Sequence, residues 1–303
     1  MRERIRITEV GPRDGLQNES TPIPTQAKID LVEGMVDAGV TQIEVTSFVH
    51  PMRVPAMGDA EAVFTGVNKR PGVRYMTLVP NERGYDRARA QGCDAIAVFT
   101  AASEIFAQAN IRSSIAESLE RFRVFADRAS RDDVYIRGYV STVFDCPYGG
   151  PTKAEDVVRV VESLLELGCS EVALGDTTGS GTPTRVGHLL DEVLKVLPVE
   201  KATLHFHDTW GLGCANVAAG VAHGVRSFDA SVGGLGGCPY APGASGNVAT
   251  EDLIHLIHSL GYDTGLKMEA VFDAGERLSR HLGRRLSGRA HQAMRAGRSD
   301  LCS

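Results

Sequence analysis

Eight short runs of apolar and β-branched residues alternate with longer amphipathic segments along most of the chain. Each run is nearly continuous in apolar residues, which is typical of a strand buried on both faces of a parallel sheet. The runs are IRITEVG (5–11), QIEVTSF (42–48), VRYMTLV (73–79), AIAVFT (95–100), VYIRGYVS (134–141), EVALGD (171–176), ATLHFHD (202–208) and SFDASV (227–232). This alternation predicts eight β/α units.

The segments between these runs carry helix signals. Apolar residues at helical spacing predict one helix after a capping-box pattern at Thr152–Glu155 and another over 184–197. Four helices are followed by a glycine that fits the left-handed closing position, namely Gly39, Gly92, Gly168 and Gly224. We therefore predict an α/β fold, a (β/α)8 TIM barrel. A doubly wound open sheet is the alternative. It is disfavoured because GPRDG, after the first strand, is not GxGxxG and begins no obvious helix.

No linker divides the chain, so we predict that residues 1–303 form a single domain with extra C-terminal helices. Barrel strands and helices take up about 5–232. A glycine-rich loop and a helical region take up about 233–303, with helices around 250–260 and 267–283. The basic tail beyond them is predicted as a closing helix or ordered cap, with a frayed end as the alternative.

Composition narrows the class of protein. A hydrophobic content of 43% and a charged content of 23% are typical of a globular chain. A formal charge of −6 and 6% aromatic residues provide no basic field or stacking surface for nucleic acid. No apolar leader or membrane-length stretch is present, so we predict a cytoplasmic protein without a membrane partner. The cysteines form no CxxC pair and are predicted to be mostly reduced, with four in or near the core: Cys93, Cys146, Cys169 and Cys214.

Polar residues gather where the predicted strands end, which is where TIM barrels carry their active sites. His205 and His207 are two residues apart on the seventh strand, so both side chains point to the same face. Asp14 follows the first strand and Asn247 follows the eighth, and barrel closure makes these strands neighbours. Two imidazoles, a carboxylate and an amide oxygen predict a divalent-metal site. Mg²⁺ or Mn²⁺ fits these ligands best, with zinc or cobalt as alternatives.

Two further residues in the same loops suggest chemistry on that metal. Arg13 is either a surface ion-pair partner of Asp14 or a permanently charged donor aimed at a developing enolate oxygen. Cys238, in GGLGGCPY, is either a small residue in a turn or a thiol on a mobile loop that moves a proton. No lysine falls near the end of a predicted strand. This disfavours a Schiff-base aldolase and leaves the metal as the electrophile.

Several segments together resemble the 3-hydroxy-3-methylglutaryl-CoA lyase family over about residues 5–285. They are EVGPRDGLQNE, IEVTSFVHP, GDTTGSGTP, HFHDTWG and SVGGLGGCPYAPGASGNVATEDL. The family's signature SVAGLGGCPY reads SVGGLGGCPY here, with Gly233 in place of alanine. We expect this change only to make the glycine-rich loop looser. The wider superfamily, which includes synthases and aldolases, shares RDG and HxH. The glycine-rich segment with its cysteine therefore carries most of the weight for a lyase.

The resemblance implies roles for individual residues. It implies metal ligands at Asp14, His205, His207 and Asn247, and catalytic roles for Arg13, Glu44, His205 and Cys238. Glu44 has an equally weighted alternative as the partner that fixes Arg13. Residues matching substrate-binding positions are Arg13, Gln17, Ser47, Tyr139 and Thr177. Ala173 stands where some relatives carry serine, which leaves the shape of the substrate open.

The implied reaction is a divalent-metal-dependent retro-Claisen cleavage of 3-hydroxy-3-methylglutaryl-CoA to acetoacetate and acetyl-CoA. The expected partner is an acyl-CoA substrate, and the expected assembly is a homo-oligomer, either a dimer or a tetramer. Three alternatives stay open. They are a lyase for another 3-hydroxy-acyl-CoA, a synthase of the citramalate or isopropylmalate type that condenses acetyl-CoA with a 2-oxo acid, and a non-catalytic metal- or CoA-binding barrel.

Overall fold

The structure, a computed structural model, describes residues 2–237 and 246–299. The strands are β1 (Arg6–Glu9), β2 (Gln42–Ser47), β3 (Arg74–Leu78), β4 (Ala95–Ala101), β5 (Tyr135–Ser141), β6 (Asp145–Cys146), β7 (Gly150–Pro151), β8 (Glu171–Asp176), β9 (Ala202–Phe206) and β10 (Ser227–Ala230). The α-helices are α1 (Thr25–Asp37), α2 (Ala60–Gly66), α3 (Glu82–Ala90), α4 (Glu104–Ile111), α5 (Ile115–Arg131), α6 (Ala154–Glu166), α7 (Pro183–Val193), α8 (Gly213–Ala222), α9 (Thr250–Ser259), α10 (Met268–Leu282) and α11 (Arg289–Ser299).

Eight parallel strands close into a barrel in the order β1-β10-β9-β8-β5-β4-β3-β2. Each of the eight predicted runs coincides with one of these strands, with β4 extending one residue beyond its run, so the predicted TIM barrel is confirmed. The short antiparallel pair β6–β7 lies outside the barrel and was not predicted. The strands β9, β10, β1 and β2 are neighbours, as the site prediction required. The C-terminal ends of these strands therefore form one continuous arc of the rim.

A β-bulge in β2 changes which side chains face the barrel interior. Glu44 pairs with Met76 of β3 and Thr46 pairs with Thr77, so one extra residue lies between these two register points. Glu44 and Ser47 are three residues apart, a spacing that puts side chains on opposite faces of a regular strand. The extra residue returns Ser47 to the face that carries Glu44.

Most of the predicted helices are present. The 184–197 prediction corresponds to α7, the 250–260 and 267–283 predictions correspond to α9 and α10, and the tail contains α11. The four closing glycines have φ angles of +107°, +78°, +84° and +89°, which only glycine adopts readily. They are, in chain order, Gly39, Gly92, Gly168 and Gly224. Among the described residues, no helix is both long enough and apolar enough to cross a membrane.

Two local predictions were wrong. The capping box at Thr152–Glu155 does not form, because α6 begins at Ala154 after Lys153, which makes no side-chain cap. The backbone N–H of Thr152 instead donates to Phe144 O, which ties this residue to the β6–β7 hairpin, and its hydroxyl has no hydrogen-bond partner among the described residues. The GPRDG segment, predicted to begin no helix, forms a π-helical turn over Gly11–Gly15. The π turn was missed because its polar residues carry no apolar periodicity. The capping box was wrong because the helix begins later than the Thr-x-x-Glu pattern suggests.

The starts of the barrel strands enclose a group of polar side chains around Glu171, here called the lower cluster. Glu171 Oε2 accepts from Arg6 Nη2 at 2.8 Å, from Gln42 Nε2 at 3.3 Å and from the Tyr135 hydroxyl at 2.5 Å. Glu171 Oε1 accepts from the Thr203 hydroxyl. Burial opposes the charge, yet Arg137, Arg6 and these hydrogen bonds lower the pKa of Glu171 to about 2. Both oxygens of this carboxylate are thus occupied by other side chains of the protein.

The four cysteines predicted in or near the core lie there. Three are buried and Cys214 is half-buried, and all four are free thiols. Burial raises the pKa of three of them, Cys93, Cys169 and Cys214, to about 12, so these thiols stay protonated and unreactive at neutral pH. Cys238 and Cys302 lie outside the described residues.

Candidate active site

The loop after β1 carries two charged residues on one tight turn. Asp14 N and Gly15 N both donate to Val10 O, at 2.7 and 3.2 Å, and so close the π-helical turn. Such single π turns occur often at functional sites. Arg13 and Asp14 are consecutive on this turn, and Arg13 Nη1 lies 2.6 Å from Asp14 Oδ1. The ion pair that the sequence suggested is therefore present, but Arg13 is buried rather than on the surface.

Arg13 is held by a second carboxylate from β2. Glu44 Oε2 accepts from Arg13 Nε at 2.7 Å, and Arg13 Nη2 lies 2.6 Å from the same oxygen. Burial disfavours the guanidinium charge, but Glu44 and Asp14 more than offset this and raise the Arg13 pKa above its usual range. Glu44 Oε1 is buried and has no hydrogen-bond partner among the described residues. Arg13 is thus a fixed cation, and one oxygen beside it is left free.

The two histidines lie at the end of β9 and face the same interior space. Their Nε2 atoms are 3.3 Å apart, and His205 Nε2 lies 4.0 Å from Asp14 Oδ2. Burial and the neighbouring His205 lower the pKa of His207 to about 4, so His207 is a neutral imidazole. Burial would raise the pKa of Asp14, but Arg13 and both histidines take it below the usual range, so Asp14 is a carboxylate.

The donor atoms of Asp14, His205 and His207 all lie within 4.8 Å of one another, a grouping that can hold a metal ion. An ionised carboxylate and a neutral imidazole are the forms in which these side chains bind divalent cations. The donor set therefore fits the predicted metal. These three residues, with Arg13 and Glu44, are here called the upper cluster.

Asn247 lies beside the three grouped donors. Its Nδ2 donates to Asp14 Oδ2 at 2.9 Å and to Leu235 O at 3.1 Å, so its amide nitrogen is the atom facing Asp14. A metal-ligand role needs the amide oxygen, not the nitrogen, to face the grouped donors, and a rotation of the amide group by 180° would place it there. Asn247 is thus brought to the site, and its role as the fourth ligand stays a prediction.

Two glycines bracket the segment that contains Cys238. Gly236 has a φ of +120°, and a Cβ there would lie 2.8 Å from Asn247 Nδ2. Gly246 has a φ of +88°, and a Cβ there would lie 2.3 Å from Gly236 O. The backbone before and after the segment thus meets beside Asn247, where only glycine fits. Cys238 itself lies outside the described residues, and its role stays a prediction.

The residues predicted to bind substrate occupy different positions around the barrel mouth. The Ser47 hydroxyl donates to Leu78 O at 3.3 Å, and the Thr177 hydroxyl accepts from Thr142 N at 2.8 Å. Gln17 Oε1 is buried and has no hydrogen-bond partner among the described residues, and its substrate role stays a prediction. The Tyr139 ring packs edge-on against His205, at 5.9 Å between centroids. Ala173 and Tyr139 share one small apolar layer inside the barrel.

The prediction for Gly233 was wrong, because this position is tightly held. Gly233 has a φ of +60°, and a Cβ there would lie 2.4 Å from Leu286. Its N–H donates to Glu251 Oε2 at 2.7 Å and its carbonyl accepts from Gly288 N at 2.8 Å. Glu251 Oε1 is in turn 2.8 Å from Nδ1 of the buried His291 on α11. The C-terminal helix is therefore linked through α9 to the loop that leads into the site.

Three buried polar residues near the site were not predicted from the sequence. Asp229 on β10 lies 3.0 Å from His205 Nδ1, and Arg137 on β5 lies 2.6 Å from Asp229. Glu9 accepts from the N–H groups of Gly11 and Val232, and burial raises its pKa to about 8. Each of these three is a charged residue inside a run predicted as a buried strand. That contradiction is the signal that could have identified them, because a buried charge needs a partner.

Comparison with known proteins assigns the family. Residues 4–277 match the HMGL-like family model. The hydroxymethylglutaryl-CoA lyase of Pseudomonas mevalonii is 47% identical over 97% of this chain and 98% of its own. A Pseudomonas aeruginosa enzyme, named 3-hydroxy-3-isohexenylglutaryl-CoA/hydroxy-methylglutaryl-CoA lyase, is also 47% identical, over 97% of this chain and 98% of its own.

Solved structures of hydroxymethylglutaryl-CoA lyases are similar to this chain over nearly its whole length. The crystal structure of hydroxymethylglutaryl-CoA lyase from Pseudomonas aeruginosa has a TM-score of 0.95 and 46% identity, covering 98% of this chain and 99% of its own. An HMG-CoA lyase from A. baumannii, in complex with coenzyme A and 3-methylmalate, has a TM-score of 0.92 and 38% identity, covering 96% and 95%. On these matches, the chain belongs to the HMGL-like family, together with the hydroxymethylglutaryl-CoA lyases.

Proposed function

We propose that the protein cleaves 3-hydroxy-3-methylglutaryl-CoA to acetoacetate and acetyl-CoA. The observation that carries this proposal is the placement of Arg13 and Glu44 next to the grouped donors of Asp14, His205 and His207. A cation and a metal-binding group at one barrel mouth suit a reaction that forms negative charge on oxygen. The family match over nearly the whole chain supports the choice of substrate.

Asp14, His205 and His207 would hold a divalent metal, with Asn247 as the proposed fourth ligand. Mixed oxygen and imidazole ligands without a thiolate favour Mg²⁺ or Mn²⁺ over structural zinc. Such a metal supplies Lewis acidity toward the hydroxyl and neighbouring oxygen of the substrate.

The remaining steps of the cleavage would each be carried out by particular side chains. A base removes the proton of the tertiary hydroxyl, the C2–C3 bond breaks to give a ketone, and the bonding pair passes into the thioester enolate. Arg13, held by Glu44, would stabilise the enolate oxygen. Cys238 would then donate a proton to C2, which completes acetyl-CoA. Gln17, Ser47, Tyr139 and Thr177 would position the acyl group.

His205 is a proposed metal ligand and also the candidate base that removes the hydroxyl proton. The two roles compete for one ring nitrogen. Its Nδ1 lies against Asp229, so only Nε2 faces His207 and Asp14. We assign Nε2 to the metal. Glu44 Oε1, the free carboxylate oxygen next to Arg13, then offers a second proton acceptor in the site. In a Glu44→Gln variant the amide oxygen can still accept from Arg13, so lost turnover with the metal retained supports the acceptor role rather than the role of holding Arg13. Normal turnover returns the base to His205.

The direct test supplies 3-hydroxy-3-methylglutaryl-CoA with Mg²⁺ or Mn²⁺ and measures acetoacetate. Pyruvate plus acetyl-CoA serves as the synthase control. Metal-dependent acetoacetate formation supports the lyase. Formation of a condensation product, or no reaction with either substrate set while metal binds, contradicts it in favour of a synthase or a non-catalytic barrel.

A longer branched substrate is the second candidate, because one relative at 47% identity is named for an isohexenyl substrate as well. Ala173 is a small side chain in the interior layer beside Tyr139, and we propose this position as the one that would adjoin a longer acyl chain. The ratio of kcat/KM for 3-hydroxy-3-isohexenylglutaryl-CoA and for 3-hydroxy-3-methylglutaryl-CoA decides between the two. The dimer or tetramer expected from the sequence is checked by sedimentation, and cytoplasmic localisation by cell fractionation.

A further inference from the structure

Asp229 lies inside the barrel directly beneath the His205 ring. It is on β10, its side chain is fully buried, and its two oxygens have separate partners. Oδ2 lies 3.0 Å from His205 Nδ1 and accepts from the Tyr139 hydroxyl at 3.2 Å. Oδ1 accepts from Arg137 Nη2 at 2.6 Å. One carboxylate thus joins a proposed metal ligand, a proposed substrate-binding residue and a buried arginine.

The polarity of these contacts determines where the His205 ring carries its hydrogen. A carboxylate paired with arginine only accepts hydrogen bonds, so the His205 nitrogen that faces it must be a donor. In the neutral ring the hydrogen is therefore on Nδ1 and the lone pair is on Nε2. Nε2 is the atom that faces His207 and Asp14. Metal-bound histidines characteristically donate their other ring N–H to a carboxylate or carbonyl in this way.

Arg137 anchors this carboxylate from below. Its side chain is completely buried, its guanidinium carbon lies 4.8 Å from the centroid of the Tyr139 ring, and its Nε lies 3.5 Å from Glu171 Oε1. Arg137 therefore spans the space between the lower cluster and the underside of the site. This leaves Oδ1 of Asp229 little freedom to move, and so it also fixes the position of Oδ2.

We propose that Asp229, anchored by Arg137, is a positioning residue that fixes the Nδ1–H tautomer and ring plane of His205 and the hydroxyl of Tyr139. This deepens the proposed function, on which it rests for the use of His205 Nε2. The competing explanation is a buried ion pair that only stabilises the barrel. Both explanations predict a loss of stability when the pair is altered, but only the proposal predicts a change at the His205 ring.

Asp229→Asn separates the two explanations because it keeps the shape of the side chain. Arg137 can only donate, so the carboxamide oxygen turns toward Arg137 and the NH₂ group turns toward His205 Nδ1. Nδ1 then becomes an acceptor and the hydrogen moves to Nε2. We expect the Mn²⁺ dissociation constant of the folded variant to rise about 10- to 100-fold.

The matched control is Ser227→Ala on the same strand. Its hydroxyl contacts Arg6 and Thr203 of the lower-cluster region, not His205. We expect unchanged Mn²⁺ affinity in this variant, even where its unfolding temperature falls.

Two measurements test the proposal without relying on turnover. Long-range ¹H–¹⁵N spectra of the metal-free protein, with His205 assigned from a His205→Gln variant, are recorded over a pH titration to find the neutral tautomer. Calorimetry gives the Mn²⁺ affinity. We expect Nδ1–H in the wild type, Nε2–H in Asp229→Asn, and weaker Mn²⁺ binding in that variant alone.

A wild-type Nε2–H tautomer overturns the proposal, even if Asp229→Asn does not fold. An Asp229→Asn protein that keeps both the tautomer and the Mn²⁺ affinity also overturns it and leaves a structural ion pair. Failure of the proposed function would appear instead as missing acetoacetate, with these two readouts unaffected.

Discussion

Both ends of the barrel interior contain buried charged side chains. The two ends differ in whether the acceptor oxygens of these side chains have hydrogen-bond partners in the protein. In the lower cluster, both oxygens of Glu171 accept hydrogen bonds from neighbouring side chains. In the upper cluster, Glu44 Oε1 and the nearby Gln17 Oε1 are buried without a partner among the described residues, and three metal-binding side chains face one another. Buried acceptors are normally hydrogen-bonded, so unfilled acceptors beside three metal-binding side chains support a site that a ligand completes. The filled carboxylate of the lower cluster has no such unfilled acceptor and serves the fold.

The largest effect on stability is expected for the lower cluster. Glu171→Gln removes the carboxylate partner of the half-buried Arg6 and leaves the buried Arg137 paired with Asp229. Removing one partner of a buried ion pair costs about 3–5 kcal/mol when the other charge is left unpaired. Because Arg137 keeps one partner, we expect a loss at the lower end, about 3 kcal/mol, in the free energy of unfolding. Urea titration measures it, with the exposed Glu166→Gln as control, expected to change by less than about 0.5 kcal/mol. Comparable stability of the two variants would remove the distinction between the clusters.

Arg13→Gln alters the upper cluster instead. Losing an oxyanion donor lowers turnover by roughly 10²–10³-fold, and we expect at least this loss in kcat while Mn²⁺ still binds. The exposed Arg131→Gln variant controls for loss of charge and should retain full activity. Steady-state kinetics together with calorimetry check both statements. A kcat close to that of the wild type would show that Arg13 is a structural residue like those of the lower cluster.

Asn247→Ala tests whether the Asn247 amide binds the metal together with Asp14, His205 and His207. We expect the Mn²⁺ dissociation constant to rise at least about 10-fold, the lower limit for residues that support a metal site. Asn68→Ala, at an exposed position, is the control. Should calorimetry give equal affinities for the two variants, Asn247 would be only a hydrogen-bond partner of Asp14.

The smallest effect, counted per pH unit, concerns Glu9, whose pKa is raised by burial to about 8 from 4.5. Between these values the folded protein holds a proton that the unfolded chain has released. The free energy of unfolding therefore falls as pH rises through this window, by at most about 1.4 kcal/mol per pH unit from this group. Urea titrations at pH 5, 6.5 and 8 measure the slope. We expect Glu9→Gln to reduce it and the exposed Glu120→Gln to leave it unchanged. An equal slope in all three proteins contradicts a neutral Glu9.

The sequence predicted the barrel because buried parallel strands produce continuous apolar runs at regular spacing. It also predicted the meeting of Asp14, His205 and His207, since strand closure alone brings their positions together. The single-domain boundaries of the whole chain stay a prediction. The bulge that brings Ser47 to the Glu44 face, the π turn and Asp229 could not be predicted, because each depends on contacts across strands. The one sequence signal of these contacts is a charged residue inside an apolar run, as at Asp229 or Arg137, because it indicates a buried ion pair.

The link from His291 through Glu251 to Gly233 has a consequence for the order of synthesis. Every barrel strand has been translated by Ala230, and domains begin to form as the chain emerges from the N-terminus. The contact between His291 and Glu251, which supports this loop, forms only when α11 is made, about 60 residues later. A nascent chain can therefore close its barrel before the loop at Gly233 has this last support. Ribosome-bound chains arrested before α11 should thus be folded but inactive.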